Sequence, residues 1–188
     1  MSEILLPHTV IGATRRWVKT VVVALNLCPF AKRELQRDSV RFSVSAAVTE
    51  EQLLMDLQTE LELLADDKKV ETSLLIHPEI LQDFDDYNQF LNYSDELLVA
   101  MELNGVFQIA SFHPDYQFAG AEQDAAENFS NRSPYPMLHL IRESSVEKAV
   151  ASYPGSDQIP QRNIELLQGL GLAKMQALLQ SCLVDEER

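Results

Sequence analysis

Val40-Arg41-Phe42-Ser43-Val44-Ser45-Ala46-Ala47-Val48 places Val40, Phe42, Val44, Ala46 and Val48 in alternation with Arg41, Ser43, Ser45 and Ala47. A period of two is the pattern of a strand that lays one face on a core. Thr49 and Gln52 follow in the arrangement of a helix-capping box. Leu53, Leu54, Leu57, Leu61 and Leu64 then continue at helical spacing to about Ala65. After the polar turn Asp66-Asp67-Lys68-Lys69, Thr72 to Ile76 reads as a short buried strand ending at His77-Pro78, where proline must leave the ladder. Strand, helix and strand in this order predict a parallel pair joined by a right-handed crossover.

The same periodicities extend in both directions. Upstream, Thr9 to Leu27 predicts an amphipathic helix through Val10, Trp17, Val18, Val21, Val22 and Leu25, and Pro29 to Arg37 a short second helix with Cys28 at its N-cap. Downstream, Glu79 to Leu103 predicts a helix in two pieces, with a break near Asn92 and Ser94 and a cap at Asn104-Gly105. Val106 to Phe112 is a third strand ending at His113-Pro114, Ala121 to Phe129 a short polar helix, and Met137 to Arg142 a fourth strand. A helix from Ser144 to Ala151, a loop from Tyr153 to Pro160 and a last helix from about Gln161 to Cys182 complete the order. Gly169 and Gly171 weaken the middle of that helix by roughly 1 kcal/mol each relative to alanine. The first three strands are expected to be parallel. The fourth arrives through a connection of roughly two dozen residues, beyond the ~12–15 above which structureless loops are uncommon and usually functional; its direction stays open. The expectation is an α+β fold with α/β-like order, a mixed sheet of about four strands with helices packed against it.

A chain of 188 residues fits one domain, and frayed ends are expected at 1–8 and 183–188. The longest apolar run, Val21 to Leu25, is far shorter than the ~20 residues that cross a bilayer, and Met1 to Pro7 has neither a basic n-region nor a cleavage pattern. These features predict a cytoplasmic protein. Fifteen Lys/Arg against twenty-nine Asp/Glu leave a net charge of −14, which repels phosphate backbones and anionic lipid and argues against nucleic-acid or membrane partners. Cys28 and Cys182 are expected to be free thiols. Composition leaves the oligomeric state open.

His77 and His113 each precede a proline at a strand end, and strand parity places them with Leu75 and Ile109 respectively. On parallel strands both reach one end of the sheet, where ligands of open α/β sheets bind. Such a histidine also serves as a turn cap through a backbone hydrogen bond. Cys28, at a helix N-terminus with Lys32 and Arg33 one turn on, is a candidate thiolate. With His77 and His113 it forms the candidate catalytic set, His113 as general base or ligand. Cys28, His77, His113 and His139 are also a candidate set for a divalent metal such as zinc, although no pair has the local spacing of a known zinc motif. His139, between Leu138 and Leu140, equally fits a core role. For a small anionic substrate the candidates are Arg132 and Ser133 in Asn131-Arg132-Ser133-Pro134, with Arg142 and Tyr116. No phosphate-cradling glycine pattern and no nucleophile elbow is present.

Asn26-Leu27-Cys28-Pro29-Phe30-Ala31, Ser111-Phe112-His113-Pro114, Asn131-Arg132-Ser133-Pro134-Tyr135-Pro136 and Leu138-His139-Leu140-Ile141-Arg142-Glu143 occur in that order. Together they resemble a bacterial family catalogued as domain of unknown function 1415, from about Thr14 to Cys182. The resemblance implies a single-domain soluble protein and assigns no catalytic residue. Two functions follow from the side chains: an enzyme or metal- or redox-linked protein built on the Cys/His/Arg set, or a non-catalytic module binding a small ligand or partner protein through aromatics such as Phe84, Tyr87 and Tyr116.

Overall fold

The computed structural model describes residues 6–184. Four strands, β1 (Val40–Val44), β2 (Thr72–Ile76), β3 (Phe107–Phe112) and β4 (Met137–Arg142), form one sheet in the order β1-β2-β4-β3. β1 and β2 are parallel, and β4 is antiparallel to both β2 and β3. The first three strands therefore run in one direction, as the crossovers require, but β3 is not a neighbour of β2. β4 lies between them.

Successive residues of a strand face opposite sides, so β2, buried at all five positions, supplies two cores. Leu75 meets α3 (Glu50–Asp66) and α4 (Phe84–Ala100) through Leu53, Leu57, Leu61, Tyr87 and Phe90. Leu74 and Ile76 meet the opposite layer through Trp17, Val18, Phe129, Leu167 and Met175. That layer contains α1 (Pro7–Trp17), α6 (Ile159–Leu170) and α7 (Leu172–Leu183). α2 (Ala31–Gln36) and α5 (Glu143–Ser152) are the remaining α-helices among the described residues.

The first helix changes geometry where the sequence predicts one continuous helix. From Val18 to Val23 it widens to a π-helix, with Ala24 N–H bonding Lys19 O at 3.0 Å and Leu27 N–H bonding Val22 O at 2.9 Å. Three successive β-branched valines, Val21 to Val23, are poor α-formers because they crowd the preceding turn. α2 starts at Ala31 with Phe30 at its N-cap, so Cys28 does not cap it; Cys28 instead accepts Ala31 N–H at its carbonyl, 3.3 Å away.

Other boundaries move for local reasons. β1 stops at Val44, and Ser45 holds the chain that follows by accepting Ala47 N–H at its Oγ, 3.0 Å away, and donating to Asp56. α4 is unbroken: Asp83 caps it through Asp85 and Asp86 N–H, and Ser94 Oγ bonds Phe90 O inside the helix. The polar segment expected to be helical at 121–129 contains only a 3₁₀ turn, Ala126–Ser130. The last helix breaks at Gly171, whose φ of 78° ends α6 and starts α7. α1 begins at Pro7 and α7 ends at Leu183, and residues 1–5 and 185–188 of the ends expected to fray lie outside the described ones. Among the described residues no helix is long and apolar enough to cross a membrane.

Candidate functional site

The two His-Pro strand ends meet because β4 starts between them: Ile76 and Phe112 both pair with Met137. His77 and His113 are fully buried. His77 Nδ1 lies 3.1 Å from Ile80 O, and since a carbonyl only accepts, Nδ1 carries the proton. His77 Nε2 is left buried with no hydrogen-bond partner among the described residues. His113 Nε2 donates to Leu81 O at 3.1 Å while its Nδ1 accepts Asp115 N–H at 3.0 Å. Both of its nitrogens are engaged.

Tyr87 of α4 touches both imidazoles, with ring centroids 5.8 Å from His77 and 5.1 Å from His113. Its hydroxyl accepts Phe112 N–H at 3.0 Å and donates to Met137 O at 2.8 Å, bridging the last residue of β3 to the first of β4. Burial pushes His77 down to about 4 against the opposing bond to Ile80 O, with the charge of His113 acting in the same sense as burial. Burial also lowers His113, resisted by the Leu81 bond and by Asp115 and Asp83. The Tyr87 phenol is pushed well above its ordinary value by burial. Two neutral imidazoles thus hold the 77–82 turn against the sheet, including Leu81 at a φ of 56°, a region costly for a branched side chain.

The other candidates of the metal set lie across the sheet. His139 shares its face with Met137 and contacts Phe112 at 5.9 Å. Thr72 Oγ1 donates to Leu140 O at 2.6 Å, so the 2.7 Å bond from His139 Nε2 to Thr72 Oγ1 runs from imidazole to hydroxyl. Burial pushes His139 to about 4. Cys28 follows Leu27, a member of the same opposite core, and the turn is tied to α6 by Asn163 Nδ2 donating to Leu27 O at 2.8 Å. Strand alternation places His77 and His113 on one face and His139 on the other, and Cys28, in the turn after Leu27, adjoins that other layer. Among the described residues no group of three His, Cys, Asp or Glu is placed to hold a metal ion.

The long connection from β3 to β4 is not structureless. Asn128, fully buried, accepts Phe118 N–H at 3.1 Å and donates to Glu122 O and Gln123 O at 2.9 and 3.2 Å. His113 N–H bonds Asn131 O at 3.2 Å, and Asn131 Nδ2 donates to Ser111 O at 3.0 Å. Arg132 Nε donates to Tyr116 O at 3.1 Å and Nη2 to Gln123 O at 2.7 Å, with the guanidinium carbon 4.9 Å from the Phe129 ring centroid. No described residue accepts a hydrogen bond from Nη1. Burial lowers the Arg132 pKa from its ordinary value, opposed by Asp115 and Asp124. A cleft of about 550 Å³ opens between this loop and α7, with Pro114, Phe129, Arg132, Ser133 and Pro134 on one side. Gln176, Ala177, Leu179, Gln180 and Leu183 form the other.

Comparison with protein-family models matches residues 9–177 to a family described as protein of unknown function (DUF1415). The chain belongs to the DUF1415 family. No curated protein and no solved structure matches it.

In this DUF1415 chain the other sequence candidates have structural engagements. Ser133 Oγ donates to Tyr135 O at 2.7 Å, so its proton is unavailable to an anion. Tyr116 serves the loop with its carbonyl, while its ring packs against Phe84 and Phe118 at 5.2 and 4.9 Å. Arg142 is at the far end of β4 from the histidines, where its Nη2 donates to Leu64, Asp67 and Val70 carbonyls and ties down the C-terminus of α3. The DUF1415 chain also carries a buried network that sequence reading missed. Glu60 is held by Arg41 Nε and Nη2 at 3.0–3.1 Å and by Ser73 Oγ at 2.8 Å. Burial pushes the Glu60 carboxyl up, but the bonds from Arg41, Ser43 and Ser73 overcome this and hold it below its ordinary value. Beside it a polar cavity of about 190 Å³ is lined by Ser43, Ser45, Asp56, Thr59 and Glu60. The signal was legible: Glu60 stands on the Leu53-Leu57-Leu64 stripe of α3, where an acid needs a buried partner.

Proposed function

We propose that the protein is a binding module for a small anionic organic molecule, taken up in the cleft between the 113–136 connection and α7. The observation that carries this reading is Arg132: two backbone carbonyls and the Phe129 ring fix its guanidinium in the cleft wall, leaving Nη1 for a ligand. A pre-oriented guanidinium loses little freedom on binding an oxyanion. The cleft offers about 550 Å³ in a groove open to solvent along one side, with Arg132 in its wall. Catalysis through Cys28, His77 and His113 has less support, because the two imidazoles are buried and bonded to backbone and Cys28 adjoins the opposite layer.

Ligand-observed NMR with a panel of small carboxylates and their amides tests the reading. Carboxylate signals should broaden on adding protein and recover in an Ala177→Trp variant, which fills the cleft from an exposed position on α7. Failure of every carboxylate to bind, or equal binding to the Trp variant, removes the proposal.

A further inference from the structure

The wall facing Arg132 narrows the class of anion. Arg132 is the one cation among the residues lining the cleft, and Asp115 and Asp124 lie close enough to act on it electrostatically. A single positive charge under that acidic influence matches a monoanion better than a phosphate dianion, which needs more than one cation or a set of backbone donors. Ser133 adds acceptor capacity only, since its proton is on Tyr135 O. The remaining surface is largely apolar, with Phe129, Pro114 and Pro134 on the loop and Leu179 and Leu183 on α7, and neutral Gln176 and Gln180 completing the helix wall. From Gln176 to Leu183 this wall extends about 10 Å at the α-helical rise, room for a chain of about eight carbons.

We infer that the ligand is a medium-chain aliphatic carboxylate, its head group on Arg132 Nη1 and its chain along the Leu179–Leu183 side of α7. This rests on the binding reading above and specifies its ligand. The head group is held by a charge-assisted bond, and the chain is driven into the cleft by burial of methylenes. Each methylene added within the cleft tightens binding roughly fourfold.

Calorimetric titration of the full chain with hexanoate, octanoate, octanamide and octyl phosphate, each below its aggregation concentration, tests the inference against Ala177→Trp. Octanoate should bind roughly fifteenfold tighter than hexanoate, the product of two such steps. Octanamide should bind at least tenfold more weakly, octyl phosphate no more tightly than octanoate, and the Trp variant should bind none of them. A flat chain-length series, or tighter binding of octyl phosphate, with loss in the Trp variant, overturns the ligand class but leaves an anion site in the cleft. Octanamide binding as well as octanoate overturns the role of Arg132 in both readings. Absence of all binding, or binding that the Trp variant leaves unchanged, overturns the inference and the cleft together. Should Ala177→Trp lose its helical circular dichroism, Gln180→Trp, also exposed on α7, replaces it.

Discussion

The histidine end of the sheet and the Arg132 cleft are built from the same His-Pro strand end and the same long connection, yet they differ in what they leave unbonded. At the histidine end, Tyr87 and His113 have their polar atoms bonded to backbone, and the one exception, His77 Nε2, is sealed from solvent. In the cleft, Arg132 is anchored through Nε and Nη2 and keeps Nη1 available. A chemically capable side chain is thus a functional candidate only after its local hydrogen bonds have been counted. One region contributes cohesion, and the other carries the proposed contact surface.

Acid offers the largest test of this contrast. His77 and His139 stand at about 4 in the folded protein against ~6.5 in an unfolded chain. Below ~6.5 the unfolded state binds more protons, so folding stability is complete above that pH and falls as pH drops toward about 4, by about 3 kcal/mol for each histidine. Lowered His113 acts in the same direction. Urea midpoints measured from pH 7.5 down to 4.5 should show this fall, and His77→Gln should make it shallower by the His77 share while that of His139 and His113 persists; an unchanged midpoint would mean that these imidazoles are not buried in their neutral form. Next in size, Tyr87→Phe leaves Phe112 N–H and Met137 O without the hydroxyl that joins them, and should cost about 3 kcal/mol in urea denaturation while carboxylate affinity stays within twofold.

Arg132→Met sharpens the contrast from the other side. It removes two bonds to partly solvated loop carbonyls, and should lower global stability by about 1 kcal/mol. Amide exchange at Phe118 and Arg132, whose N–H groups are bonded to Asn128, should accelerate, exchange in β2 should stay unchanged, and binding of the carboxylate should be lost. The smallest effect belongs to Ala177→Trp, an exposed substitution expected to move stability by no more than about 0.5 kcal/mol. A loss of several kcal/mol there would show that the cleft wall is part of the core and not a contact surface.

Much of the fold was legible because it depends on short-range pattern. Thr72–Ile76 and Met137–Arg142 have the same bounds in sequence and structure, and Thr49 caps α3 with Gln52 N–H at 3.3 Å from its Oγ1. The insertion of β4 between β2 and β3 was not legible, since a long connection permits either direction and several positions. Arg41, Ser43 and Ser45 alternate correctly, but the periodicity is silent on what covers their face, and α3 brings Glu60 and Asp56 to it. For the candidate site, the residue types at Arg132 and the two His-Pro ends were visible. Their bonds to Leu81, Ile80, Tyr116 and Gln123 carbonyls were not, because every backbone carbonyl looks alike in sequence.

By itself the sequence determined the four strands, the helices that alternate with the first three, the family and the polarity of β1 to β3, all consequences of side-chain period, capping chemistry and crossover handedness. Only the tertiary structure decided that β4 separates β2 from β3, that Cys28 and His139 lie away from the His77/His113 face, and that Arg132 rather than a histidine keeps a free donor. Those outcomes depend on which distant groups pair, and a pairing removes a donor from function whatever the residue's intrinsic chemistry.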